Sequence, residues 1–165
     1  MSMTALLVAV PPAQLDSFIA APDTIEAFLD ADDDDIEGPE DERRLDLDKA
    51  WHGIHFVLNG VAWGGEWPLV AAVHGGTEIG EDMGYGPARL PGPDDVREVA
   101  ASLPAPDEFD ARIDLDALSS ADIYPDVWDR KDEGNDEWLV GEYRNLVKFF
   151  RSAASRGDGL LSCIW

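Results

Sequence analysis

Asp48, His52, His55 and Asn59 succeed one another at spacings of four, three and four residues. At 100° per residue a helix would carry Asp48, His52 and His55 within about a 60° arc. Such a group could ligate zinc or iron, or could let His55 act as a general base oriented by a carboxylate. The strong zinc pattern, two histidines at i and i+4 with a glutamate between them, is missing, because His52 and His55 stand three residues apart. The plain alternative places His55, hydrogen-bonded, at the edge of the core and turns His52 to water. No metal or cofactor is expected from this pattern.

A second group of candidates lies downstream. In Gly84-Tyr85-Gly86-Pro87-Ala88-Arg89 two glycines around a tyrosine allow close backbone approach, and Arg89 is the only Lys or Arg between Lys49 and Arg97. The run is neither a Walker loop nor a dinucleotide fingerprint, and Glu78, Glu81 and Asp82 would repel phosphate. Arg89 could clamp a carboxylate, or pair with one of the neighbouring acids. His74-Gly75-Gly76 has the form of an esterase oxyanion loop, yet no serine occupies a G-x-S-x-G elbow, which leaves a flexible turn as the reading. Tyr124, before Pro125, suits a packing tyrosine with a bonded hydroxyl.

The elements that must position these residues follow from apolar periodicity and turn chemistry. Residues 4–10 form an apolar run stopped by Pro11-Pro12 and predict a buried strand. Helices are predicted over about 12–20 and 22–30, each with proline in its first turn. A third opens at Asp46 as its cap and closes at Asn59-Gly60, with Leu47, Trp51, Ile54 and Leu58 as its apolar stripe. Residues 68–73 make a short apolar element of either type, and the glycine-rich stretch 74–89 predicts an irregular loop. Further helices are expected over 93–103 and 107–118, and the longest over 136–156, with Trp138, Leu139, Tyr143, Leu146, Val147 and Phe150 inward. Residues 121–129 read as a turn, and residues 159–165 as a closing strand. Strands at both ends around many helices predict an α+β domain whose small sheet contains the N- and C-terminal strands, packed against several helices.

Composition bounds the rest. With 165 residues, 45% of them hydrophobic, and six Trp and six Phe, one domain over 1–165 can bury its own core. The net charge is −23, and the first 42 residues hold twelve acids with no Lys, Arg or His. That field disfavours nucleic acid and anionic membranes and favours a basic protein as partner. The run at about 30–42, centred on Asp32-Asp33-Asp34-Asp35, predicts a mobile acidic loop. It lacks the alternating oxygen ligands and terminal glutamate of a helix-loop-helix calcium site. A single cysteine, Cys163, excludes an internal disulfide. With no basic leader and no apolar segment of about 20 residues, a cytoplasmic location is expected.

Several segments together resemble the YfbM-like family of small bacterial proteins, a domain of unknown function. They are the Met-Ser-Met start, Leu45-Asp46-Leu47-Asp48-Lys49-Ala50-Trp51 running on through His52-Gly53-Ile54-His55-Phe56, the Gly84-to-Arg89 motif, Ile123-Tyr124-Pro125, and the last helix and strand. The resemblance spans nearly the whole chain outside residues 30–42, and the Asp48, Trp51, His55 pattern is its most specific part. It implies a bacterial, cytosolic α+β protein with no established activity or cofactor. Trp51 and His55 belong to the family pattern and His52 does not, while Asn59 stands where threonine is usual.

Two functions follow as expectations. The first is a non-enzymatic, acidic protein-binding module of inhibitor or immunity type, without catalytic residues, that takes a basic protein. The alternative is a small-molecule sensor or enzyme whose pocket gathers Asp48, Trp51, His55, Tyr85, Arg89 and Tyr124, with His55 as base and Arg89 as anion clamp. A cavity shared by these side chains would favour the alternative.

Overall fold

In a computed structural model, which describes residues 2–34, 43–130 and 133–165, the chain folds as an α+β domain around one open antiparallel sheet. The strands are β1 (Ala5–Val10), β2 (Arg44–Asp48), β3 (Thr77–Asp82), β4 (Pro87–Leu90) and β5 (Gly159–Ile164), in the order β2-β1-β5-β4-β3. The two terminal strands pair at its centre, with Ala5 opposite Ile164 and Val10 opposite Gly159. Apolar residues fill every position of β1 because both faces of this central strand are covered. Leu6, Val8 and Val10 join Leu15, Phe18, Ile25 and Leu29 beneath α1 (Pro12–Ala20) and α2 (Thr24–Asp34). Ala5, Leu7 and Ala9 point the other way, into the main core.

That core is built by α3 (Trp51–Asn59), α4 (Ala71–His74), α5 (Pro93–Ser102), α6 (Pro106–Arg112), α7 (Leu115–Ser120) and α8 (Asn135–Arg156). On α8, Leu139, Tyr143, Leu146, Val147 and Phe150 are buried as the 3.6-residue spacing requires, with Trp138 packed at the margin. The Tyr143 ring stacks on Phe109 at 3.7 Å, and its hydroxyl donates to the Pro104 carbonyl at 2.7 Å. Asp158, buried at the entry to β5, accepts hydrogen bonds from Arg43 at 3.1 Å and Arg156 at 2.7 Å. Among the described residues no helix is long and apolar enough to cross a membrane.

Several boundaries differ from the sequence expectation. Helix α2 continues to Asp34, so residues 30–34 are helical where the acidic loop was expected to begin. Buried Ile25 and Leu29 anchor it to the sheet. The remainder of the expected mobile stretch, 35–42, lies outside the described residues. Asp46 is no helix cap: it sits in edge strand β2 opposite Leu6, and its carboxylate accepts the Asp48 N–H at 2.7 Å. The alternation Arg44-Leu45-Asp46-Leu47-Asp48 is a period-two signal, and pairing with β1 turns it into strand. Helix α3 therefore starts at Trp51, and it ends as expected at Gly60, whose φ is 71°. Where an irregular loop was expected over 74–89, His74 ends α4 and residues 77–90 form the β3–β4 hairpin, its turn held by Asp82 Oδ1 accepting from the N–H groups of Gly84 (2.7 Å) and Gly86 (3.1 Å). The helix expected over 107–118 divides at Asp114, whose side chain caps α7 through the Ala117 N–H at 3.0 Å.

Helix α3 crosses the core through Gly53, where an added Cβ would meet Trp128 at 2.8 Å and Leu139 at 3.0 Å. Trp128 cannot give way easily, because it is fully buried and its indole N–H donates to the Ile123 carbonyl at 2.6 Å. Gly53→Val should therefore cost about 1–3 kcal/mol through overpacking, even though glycine is itself a weak helix former. Urea unfolding with an unchanged m-value is the measurement, and an unaltered midpoint would contradict the close approach.

Candidate functional site

The sheet positions the site through its register. Glu78 on β3 is opposite Arg89 on β4, and Arg89 is opposite Ser162 on β5. Directly opposed residues project from the same face, so these three side chains form a polar row across one face of the sheet. The Ser162 hydroxyl donates to the Val73 carbonyl at 3.3 Å, tying the row to α4. Over the row opens a recess of about 460 Å³. Trp51, Trp63, Val70, Val73 and Ile164 supply its apolar walls, and His74, Glu78, Tyr85 and Arg89 its polar ones.

His74 reaches this wall because the two glycines after it allow a tight return into β3. At Gly76 φ is 90°, and a Cβ would lie 2.3 Å from the Pro91 nitrogen; at Gly75 a Cβ would lie 2.4 Å from that of Ala71. The His-Gly-Gly motif is thus a packing device that delivers an imidazole. Trp63 arrives on the loop 60–66, which folds back over α3; a Cβ at Gly65 would strike the Asn59 side chain at 2.4 Å. Trp63 is 64% exposed, a large aromatic left at the lip of the recess.

Behind the wall, Trp51 is the hub. It is buried, donates through its indole N–H to the Met3 carbonyl at 3.1 Å, stacks on His52 at 4.8 Å and meets His74 edge-on at 5.6 Å. His52 is not solvent-facing as one sequence reading had it. Its Nε2–H donates to the Ala62 carbonyl at 2.9 Å, while Nδ1 accepts the Tyr124 N–H at 3.1 Å. Those two bonds hold it as one neutral tautomer, and burial lowers its pKa against the pull of the Ala62 carbonyl. His55 is wholly buried, its Nδ1 3.4 Å from the Asn59 amide and its ring 4.7 Å from that of His74. Burial lowers its pKa to about 4, with a Gly64 backbone bond opposing and His52 adding to the fall. For His74 burial again dominates, followed by the proximity of His55, Arg89 and His52, and its pKa drops to about 3. Its Nε2 is buried without a hydrogen-bond partner among the described residues.

Of the six pocket residues expected from sequence, Trp51, Tyr85 and Arg89 line the recess. His55 stands one ring behind it, in contact through His74. Tyr124 lies on the far side of Trp51, 6.3 Å between rings, where its hydroxyl accepts the Met3 N–H at 3.0 Å; this is the packing role read from Tyr124-Pro125. Asp48 does not join: it is exposed at the end of β2 with φ at 44°, because a strand replaces the helix turn that would have carried it beside His52. Trp63 and Ser162 are functional candidates that sequence reasoning missed, whereas the sequence reading takes His74 as part of a flexible turn and Glu78 as one of the acids near Arg89. The available signal was a histidine and a tryptophan each beside a glycine pair. Cys163 is buried, and its thiol is pushed up to about 12 by desolvation, which leaves it an inert core residue. Among the described residues no group of three or more His, Cys, Asp or Glu side chains gathers in a way that could hold a metal ion.

Comparison with known proteins agrees with the architecture. A family model described as a domain of unknown function, DUF1877, matches residues 1–163. A crystal structure of a protein of unknown function, YfbM from Escherichia coli, superposes with a TM-score of 0.71 at 22% identity, covering 98% of this chain and 99% of that one. At that identity the likeness establishes the fold alone. No curated protein matches.

Proposed function

The chain belongs to the DUF1877 family, a domain of unknown function, and on that premise we propose that it is a cytosolic small-molecule-binding domain whose ligand occupies the recess over Arg89. One observation carries the reading: a concavity of about 460 Å³ with aromatic walls and a few convergent polar groups. Its size lies within the roughly 300–1,000 Å³ typical of ligand sites. The exposed Trp63 at its lip is a surface that a monomeric protein gains by covering when ligand arrives.

Binding is favoured over acid–base catalysis. A general base works best with a pKa near the operating pH, whereas His74 is at about 3 and His55 at about 4. Both are then neutral near pH 7 and serve as hydrogen-bonding and packing groups. The expected result for Trp63→Ala is an apo melting temperature close to that of wild type, because the side chain is mostly exposed, and ligand affinity lowered about tenfold by loss of the stacking wall. Thermal-shift screening of small aromatic compounds on both proteins measures this. Identical ligand-induced shifts in the two would remove the recess from consideration.

The charge supports a second reading, capture of a basic protein by an inhibitor- or immunity-like acidic surface. Asp23, Glu26, Glu81 and Asp82 line a groove between α2 and β3. Capture of this kind weakens as ionic strength rises through ~0.15 M, and a salt-insensitive interaction would count against it.

A further inference from the structure

We infer that the ligand of the recess is an organic carboxylate with an apolar or aromatic body, and that Glu78 occupies Arg89 as a displaceable internal substitute for it. The inference rests on the small-molecule reading and specifies its chemistry. Among the described residues, Arg89 is the only cationic side chain lining the recess, and Glu78 the only acid. They are joined by an ion pair across the β3–β4 register. The acid partner is the more exposed of the two, with side-chain exposures of 54% for Glu78 and 31% for Arg89.

An ion pair this open is screened by water and holds Glu78 weakly. A carboxylate carried into the recess by an apolar body would face the same guanidinium with less water around it, and there the attraction is stronger. Arg89 also has donors to give. Its described hydrogen bonds engage only the two terminal nitrogens, one with Glu78 and one, at 3.4 Å, with the His74 carbonyl. His74 lines the same wall, but its Nε2 is shut away from solvent, so the guanidinium of Arg89 is what the recess offers a carboxylate.

The sign of the Glu78 effect separates this from a cationic ligand. Removing the Glu78 charge strengthens an anion, which no longer competes with it, and weakens a cation, which would lean on it. The long-range field of a chain with net charge −23 repels anions, so Arg89 must supply the local attraction and its loss should be severe.

The test uses phenylacetate, phenylacetamide and phenethylamine as matched anionic, neutral and cationic probes, read by ligand-observed NMR titration of wild type, Glu78→Gln and Arg89→Met. Both substitutions are at partly exposed strand positions, and equal apo melting temperatures certify the fold. Phenylacetate is expected to bind more tightly than the amide, to gain roughly three- to tenfold in Glu78→Gln, and to lose about tenfold in Arg89→Met. The amide should be indifferent to both changes. Phenylacetate weakened or unmoved by Glu78→Gln, or phenethylamine binding best and failing in that variant, overturns the carboxylate assignment while leaving a functioning pocket. If none of the three probes binds, the amide included, the pocket reading falls and this inference with it.

Discussion

Acidification from pH 7 to about pH 4.5 is expected to weaken the fold sharply, and His55→Leu is expected to remove a large part of that sensitivity. Above pH 6.5 His55 and His74 are neutral in both folded and unfolded chains, so neither affects stability as pH changes. Below 6.5 the unfolded histidines take up protons, while the folded ones stay neutral until about pH 4 for His55 and about 3 for His74. The unfolded state then binds more protons, so stability falls as pH falls through that window. For His55 alone the full loss is roughly 3 kcal/mol, at 1.36 kcal/mol per unit of displacement from 6.5 to about 4. His74 adds to it in the same sense, and its neighbour makes each imidazole harder to protonate while the other is charged.

The many carboxylates respond to the same pH change, and Glu142, whose burial raises its pKa, does so in the opposite sense. Those contributions are common to wild type and variant and cancel in the comparison. Urea unfolding of both proteins at pH 7, 5.5 and 4.5 isolates the His55 share. Parallel pH profiles in the two would show that protonation of His55 is not what acid exploits.

Trp51→Ala is the substitution with the largest expected cost at neutral pH. The indole is buried at the start of α3, in contact with the rings of His52, Trp63, His74 and Tyr124, and its N–H holds the Met3 carbonyl. Truncating a buried tryptophan costs about 3–5 kcal/mol, and the orphaned Met3 carbonyl about 1 kcal/mol more. Against a typical domain stability of roughly 5–15 kcal/mol this is a large fraction. The loss should extend beyond α3, because Met3 leads into the central strand and the recess loses its back wall. Trp51→Phe keeps most of the ring and sacrifices the N–H, so it should cost less than half as much. Denaturant unfolding of the two variants tests this, and a Trp51→Ala protein within about 1 kcal/mol of wild type would refute the hub role.

The character of most elements could be read from the chain. The terminal strands, α1, α5, α8 and the Gly60 stop of α3 all carry strong local signals, because proline, a left-handed glycine and apolar periodicity act within a few residues. The β3–β4 hairpin was not readable. Thr77-Glu78-Ile79-Gly80-Glu81-Asp82 has poor strand propensity, and pairing to a strand placed by the end of the chain, through Arg89 and Ser162, makes it a strand. The same limit explains the site. Trp51, Tyr85 and Arg89 are identifiable as unusual residues, yet Asp48 falls beside His52 only if one helix runs through both, and the period-two alternation at 44–48 pairs with β1 instead.

Residue order on its own dictated an acidic α+β chain with end strands in one small sheet, a tryptophan–histidine helix and one isolated arginine. The convergence of Arg89, Glu78, His74 and Trp63 on a single hollow required the folded sheet. Cross-strand register and the return of loop 60–66 join residues as distant in the sequence as Trp63 and Ser162, and such pairings are set by packing energies summed over the whole core.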